Sequence, residues 1–247
     1  MKRKLECRWA LWCGVWMVIT LLAACDRLTK PTSSGRPYEV LVVVDDQLWQ
    51  RPAGRALFDV LDTDVPGLPQ PERSFRISQT TQKRFSQVLN IFRTIIKVDI
   101  DPTQYTQTKM KFTRDVYARP QVVLTIQSPN EKDFAAFVKK NSRSIIDFLV
   151  KVEMNRQINE LEEKHSEAVS QLAEEIFKCQ LWAPAEIKSY KKGKDFFWAS
   201  SNTASGLVNI CMYSYPYEGP RTFNKQYVLA KRDSVMKANI PGTEPRM

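Results

Sequence analysis

Tyr38-Glu39-Val40-Leu41-Val42-Val43-Val44-Asp45-Asp46 is the stretch that decides the fold class. A continuous β-branched run closed by two carboxylates reads as a strand buried on both faces, the pattern of a central strand with parallel neighbours. Downstream, a helix is expected around Gly54 to Leu61, and Asp64-Val65-Pro66-Gly67-Leu68-Pro69-Gln70-Pro71 is too rich in Pro and Gly to be anything but a loop. Phe75 to Ser78 reads as a short strand. Phe85, Val88, Leu89 and Phe92 fall at i, i+3, i+4 and i+7, which predicts a helix with one apolar stripe. Ile95 to Ile100 is the next strand. This alternation of strand and helix predicts a mixed α/β fold, a mixed sheet with helices packed on it.

Val122 to Ile126 reads as a further apolar strand, and Ser128-Pro129-Asn130-Glu131 places Ser at an N-cap, Pro at N1 and Glu at N3 of a capping box. The helix it opens carries Phe134, Phe137, Val138, Ile145, Phe148, Leu149 and Val152 inward. Helical pattern continues through Leu161, Val169, Leu172 and Ile176, so the middle of the chain is one very long helix or two in series. Strands near Phe196 to Ser200 and Leu207 to Tyr215 follow, then a helix from about Phe223 to Ala238, halted by Pro241-Gly242. No internal repeat is evident, and a single mixed α/β domain is expected over residues 38–242.

Ahead of the domain, Lys2, Arg3, Lys4 and Arg8 precede an apolar run of about 14 residues from Trp9 to Leu22, the layout of a secretory signal. A run of that length is shorter than the roughly 20 residues that a transmembrane helix needs. Leu22-Ala23-Ala24-Cys25 resembles the lipobox of bacterial lipoproteins, in which the Cys thiol is lipidated and the preceding segment removed. Residues 1–24 are thus expected to be the signal, with Cys25 as the first mature residue carrying acyl chains such as palmitate. A soluble secreted protein cut at an Ala-x-Ala-like site is the competing reading. Residues 25–37, polar and centred on Lys30-Pro31-Thr32-Ser33-Ser34-Gly35, read as a flexible tether. The twelve from Asp26 to Pro37 reach at most about 40 Å. Asp26-Arg27-Leu28-Thr29 supplies no acidic run after Cys25, so no surface-export signal is read. The expected location is the cell envelope, on the outer membrane in preference to the inner, facing the periplasm.

The chain has 247 residues and a formal net charge of +10. Its first 24 residues hold four basic side chains and Glu6, so their removal leaves +7. That charge is spread along the chain without an arginine-rich run or a nucleic-acid motif. It fits a protein beside anionic headgroups and envelope polymers better than one that binds nucleic acid. Of five cysteines, Cys7 and Cys13 leave with the signal and Cys25 takes lipid, so Cys179 and Cys211 remain as a candidate disulfide.

Several stretches together resemble a lipoprotein family of Gram-negative envelopes known as domain of unknown function 4837. They are Tyr38 to Asp46, Gly54-Arg55-Ala56-Leu57, Asp62 to Pro71, Ala118-Arg119-Pro120-Gln121, Glu153-Met154-Asn155-Arg156, Lys194 to Ser200 and Lys231 to Ile240. The resemblance covers nearly the whole mature chain. It implies the lipoprotein address and one domain, and transfers no catalytic residue. Members of that family are longer at the carboxyl end, so the resemblance also implies a truncated copy lacking its last strands and helix.

The candidate ligand-binding residues are Asp45, Asp46, Arg114, Trp198 and Tyr215. Asp45 and Asp46 stand at the carboxyl end of a central strand, where α/β sheets place ligands. Adjacent carboxylates in a strand point to opposite sides, so they share a site only if the chain turns there; helix capping is the competing role. Arg114-Asp115 with Arg119-Pro120-Gln121 could orient a polar ligand, against a structural ion pair. Phe196, Trp198, Tyr213, Tyr215 and Tyr217 form two period-2 aromatic rows suited to stacking on sugar rings, or to packing against a helix. His165, the only histidine, lies in a charged stretch and is expected to face solvent.

The chain has no Gly-x-Ser-x-Gly, no phosphate loop and no His pair at metal spacing, so no catalytic residue, metal site or cofactor is assigned. The reading is a lipid-anchored protein that acts by binding or assembly, with the membrane as one partner and envelope proteins or glycans as others. The alternative is a carboxylate-dependent glycan-processing enzyme using Asp45 or Asp46.

Overall fold

The computed structural model describes residues 30–86, 88–203 and 206–240. The signal segment, Cys25 and the carboxyl end lie outside the described residues. The chain divides into two compact units, one ending at Met154 and the other beginning at Asn155, where the sequence reading drew one domain over 38–242. The division falls inside a continuous helix, which leaves no linker composition to mark it.

The first unit is built on a five-stranded sheet of order β2-β1-β3-β5-β4. Its strands are β1 (Glu39–Val43), β2 (Arg76–Thr80), β3 (Thr94–Ile100), β4 (Lys109–Arg114) and β5 (Val122–Ser128). β1 pairs in parallel with β2 and β3, β3 pairs in parallel with β5, and β4 runs antiparallel along the β5 edge. The β-branched run is therefore the centre of a mixed sheet. Val40, Val42 and Val44 face one core with Ile96, Leu124 and Ile126, while Leu41 and Val43 face another with Ile95 and Val123. This is the strict period-2 division of a strand with no solvent face.

Helices cover the first of those faces: α1 (Asp46–Gln50), α2 (Pro52–Leu61), α3 (Glu131–Lys140) and α4 (Ser142–Glu163). They contribute Trp49, Leu57, Leu61, Phe134, Val138, Ile145 and Leu149. The other face is covered differently from expectation. The predicted stripe helix through Phe85, Val88, Leu89 and Phe92 is a series of turns, in which Phe85 N donates to Thr81 O and Asn90 N to Ser86 O. Gln121 holds those turns by donating through Nε2 to the carbonyls of Asn90 (2.6 Å) and Phe92 (2.8 Å). Phe85, Leu89 and Phe92 still pack on the sheet, but Val88 is 74% exposed.

Other differences are local. Asn130, not Ser128, caps α3, accepting from Asp133 N at 2.8 Å, because Ser128 is still the last residue of β5. Residues 31–34, read as tether, are bound to the segments that precede β3 and β5: Arg119 N donates to Pro31 O, Ser33 N to Arg119 O and Ser34 N to Ile91 O. β4 was not anticipated, since its exposed pattern of Lys, Thr and Arg is that of a blunted edge strand.

The second unit continues from α4 through α5 (Glu167–Phe177) to an antiparallel sheet, β6 (Ser189–Gly193), β7 (Phe196–Thr203) and β8 (Gly206–Tyr213), then α6 (Lys225–Asn239). Val169, Leu172 and Ala173 of α5 bury one face of the sheet with Phe197 and Ala199. The helical middle of the chain thus consists of three helices in series, interrupted at Asn141 and at 164–166. Among the described residues, no helix is long and apolar enough to cross a membrane.

Within the first unit, Arg93 just before β3 meets Glu153 of α4 at 3.0 Å, and Glu153 is 2% exposed. Truncating one member of a buried ion pair is strongly destabilising, so Glu153→Ala is expected to lower stability by about 3 kcal/mol. A urea midpoint unchanged from that of the parent would contradict that role.

Candidate functional site

The carboxyl edge of the parallel strands is where the sequence placed Asp45 and Asp46. β1 leads to β2 on one side and neighbours β3 on the other, so their shared edge is a topological switch point, the usual ligand crevice of such sheets. Here both carboxylates are committed. Asp45 caps α1, accepting from Gln47 N at 2.9 Å and Leu48 N at 3.4 Å. Asp46 accepts from Gln79 Nε2 at 3.0 Å and pairs with Arg84 at 2.5 Å.

The rest of that edge is bridged as well. Arg51 at the start of α2 pairs with Glu131 of α3 at 2.8 Å. Tyr105 donates to Asp99 and accepts from Gln127 Nε2 at 2.6 Å; the Asp99 hydrogen bond pushes its phenol above the ordinary value. Hydrogen bonds from Thr103 hold the Asp101 carboxyl below its ordinary range. No group of three or more His, Cys, Asp or Glu side chains among the described residues is placed to hold a metal ion.

Arg114 is not brought to this edge. It ends β4 opposite Val122, the first residue of β5, and so stands at the other end of the sheet. Its neighbour Asp115 pairs with Arg119 at 3.6 Å and accepts from Gln121 N at 2.8 Å.

That opposite end holds a cleft of about 640 Å³ that the sequence did not reveal. Its apolar wall is Tyr38, Val65, Ile146 and Val150, and its polar rim includes Glu72, Arg73, Arg76 and Arg143. Arg73 is engaged with Asp62 and Asp64, both at 3.2 Å, and Arg143 with Asp147 at 3.1 Å. The side chains of Arg76 and Glu72 make no hydrogen bond or ion pair with any described residue. Tyr38, at the mouth of β1, has a left-handed backbone with φ of 59°, uncommon for an aromatic residue and a form of strain that recurs at binding sites. The cleft therefore offers a guanidinium, a carboxylate and an apolar wall together, and suits an amphiphilic ligand or peptide.

In the second unit, Trp198 donates from Nε1 to Asn209 at 2.9 Å across the β7–β8 pair. Tyr215 lies beyond β8, between Tyr213 (6.2 Å) and Tyr227 of α6 (6.0 Å), with the Lys231 ammonium 5.8 Å from its ring. The aromatic rows are in large part packing. Cys179 and Cys211 are free thiols, not a disulfide. Cys179 packs with Phe197 and Ala199, whereas Cys211 pairs with Trp198 in register and so points to the other side of the sheet. Desolvation raises the Cys211 thiol above its ordinary value. His165 is half-buried, not the solvent-facing residue expected, because its ring stacks on Trp182.

The two adjacent aspartates differ in what they hold, and their substitution separates the roles. Asp45→Ala removes a cap and is expected to cost about 1 kcal/mol. Asp46→Ala removes an exposed ion pair and is expected to cost about 0.5 kcal/mol or less. Thermal unfolding of the two variants measures the difference.

Two family models match the chain. The model described as domain of unknown function (DUF8532) matches residues 33–162, and that described as domain of unknown function (DUF4837) matches residues 166–247. The likeness to the second family, drawn from sequence over nearly the whole mature chain, is matched by its model in the second unit, while the first unit matches another family. No curated protein and no solved structure matches the chain. With more than half of its 247 residues matched by the first model, the chain belongs to the family described as domain of unknown function 8532, and its residues 166–247 are similar to the domain of unknown function 4837.

Proposed function

We propose that this is a lipid-anchored protein of the cell envelope, facing the periplasm, that acts by binding or assembly and not by catalysis. The observation that carries the binding reading is the cleft of the first unit, where Arg76 and Glu72 stand uncommitted beside Tyr38, Ile146 and Val150. The reading of Asp45 and Asp46 as a catalytic pair loses its footing, since one caps a helix and the other is ion-paired.

The anchor is the thiol of Cys25, reached through the basic and apolar segment before it. Since residues from Pro31 onward are hydrogen-bonded to the segments that precede β3 and β5, only Asp26 to Lys30 separate the lipid from the domain. Five residues span about 18 Å at most, so the first unit rides close to the headgroups rather than at the end of a 40 Å tether, a reach of about that size having been the expectation for residues 26–37. The cleft opens beside Pro37 and Tyr38, a few residues along the chain from this attachment, and is thus offered to partners that themselves lie near the membrane.

The experiment is in-cell crosslinking followed by affinity purification and mass spectrometry, on the parent chain, Cys25→Ser and Arg76→Glu. The expected result is a specific set of envelope proteins or glycans with the parent chain. Cys25→Ser leaves the membrane fraction, and Arg76→Glu stays on the membrane but loses the set. A set that is the same for the parent and both variants would contradict the proposal.

A further inference from the structure

The second unit holds a feature that the proposed binding cleft does not use. An open cleft of about 620 Å³ lies along α5, lined by His165, Gln171, Glu174, Lys178, Gln180 and Trp182 among others. How the chain makes it is legible in local detail. Ser166 caps α5, accepting from Val169 N at 3.4 Å. Lys178 ends the helix in the left-handed conformation, φ 55° and ψ 37°, which reverses the chain so that Cys179 to Ala183 run back beside the helix.

Two serines then fasten that returning segment. Ser170 Oγ donates to Leu181 O at 2.8 Å, and Ser166 Oγ donates to Ile187 O at 2.6 Å while Ser166 N donates to Ala183 O at 2.9 Å. The result is that Trp182 is fixed in place although 40% of its surface is exposed. Its ring stacks on His165 with centroids 5.7 Å apart and planes 27° apart. His165 is oriented in turn by Leu161: a carbonyl oxygen only accepts, so Nδ1 carries the hydrogen in the 2.8 Å contact, and in the neutral ring Nε2 is left as an acceptor.

Three polar side chains around this platform are unengaged. Gln171 and Glu174 are three residues apart on one face of α5, and Gln180 is on the returning segment. None of the three side chains has a hydrogen bond or ion pair with any described residue. The cleft is close to electrically neutral. Glu175 is paired with Lys192, which holds its carboxyl below the ordinary value, and the lining also includes one further charge of each sign, Glu174 and Lys178. A site of this kind has no net field with which to select an ion.

From this geometry we infer that the second unit carries a saccharide-binding site, with Trp182 as the stacking platform and Gln171, Glu174 and Gln180 as its hydrogen-bonding rim. The chemistry of each part matches. The C–H face of a pyranose ring carries partial positive charge and lies favourably on the negative face of an indole. Planar amides and carboxylates serve the hydroxyls at the ring edge, an amide being both donor and acceptor. Openness suits a chain of sugars passing along the surface better than an enclosed monosaccharide. The site is independent of the cleft in the first unit, so either can fail without the other.

The test is a fluorescence titration of the full chain in detergent, with a β-1,4-linked N-acetylglucosamine tetramer and, separately, maltotetraose. A saturable change in tryptophan emission with either probe is expected; the first alone assigns amide-bearing sugars, the second alone plain hexoses, and both a general glycan site. Trp182→Ala should abolish the change, Gln180→Ala should weaken binding about fivefold, and Trp198→Phe should leave the response in place. Circular dichroism matching the parent shows that the exposed Trp182 was removed without unfolding. No saturable change with either probe, or one that survives Trp182→Ala, overturns the assignment.

Discussion

Burial of β1 on both faces is the constraint on which the first unit depends. Val40, Val42 and Val44 complete one core and Leu41 and Val43 complete the other, so neither layer can form without this strand. A strand that is apolar on both faces lacks the usual protection against a one-residue slip, because the slipped register would bury apolar side chains as well. Its polar ends supply the missing specification. Glu39 accepts from Arg36 N at 2.8 Å before the strand, and Asp45 caps α1 immediately after it. The same two ends lead to the two edges of the sheet, one closed by its own hydrogen bonds and the other opening into the Tyr38 cleft.

Much of the fold was legible because its central strands and helices carry strong periodic signals. β1, β3, β5, α2 and α6 fall close to where the sequence puts them. β4 and β6 were not legible, since edge strands such as Lys109–Arg114 and Ser189–Gly193 have few buried residues and therefore no apolar alternation to read. Residues 85–92 have helical spacing, yet the carbonyls of Asn90 and Phe92 are taken by Gln121, a contact from 29 and more residues away. Tertiary hydrogen bonding thus overrode a local pattern. The tether composition of residues 31–34 likewise does not show that they are held through backbone groups, which composition does not encode.

The candidate sites divide in the same way. Capping by Asp45 could be weighed from sequence because it is a contact between residues two and three apart. The Tyr38 cleft draws on residues 37–38, 63–66, 72–76 and 143–150, and no window of sequence contains it. Trp182 and His165 are 17 positions apart and meet only because Lys178 turns the chain and Ser166 and Ser170 fasten it. The aromatic rows hold residues of the right type for stacking, but Trp198 and Tyr215 are held within the unit's own packing, while Trp182 stands 40% exposed in a loop.

Lipid attachment is the proposal from which the rest of the functional account follows, since it would hold the chain at the envelope surface and set how close the first unit rides to it. Intact-mass spectrometry of the protein extracted from membranes tests it directly. The account predicts a chain that begins at Cys25 with the added mass of a diacylglyceryl group and an amide-linked acyl chain. A chain that retains Met1, or one that begins elsewhere and carries no lipid, would contradict it.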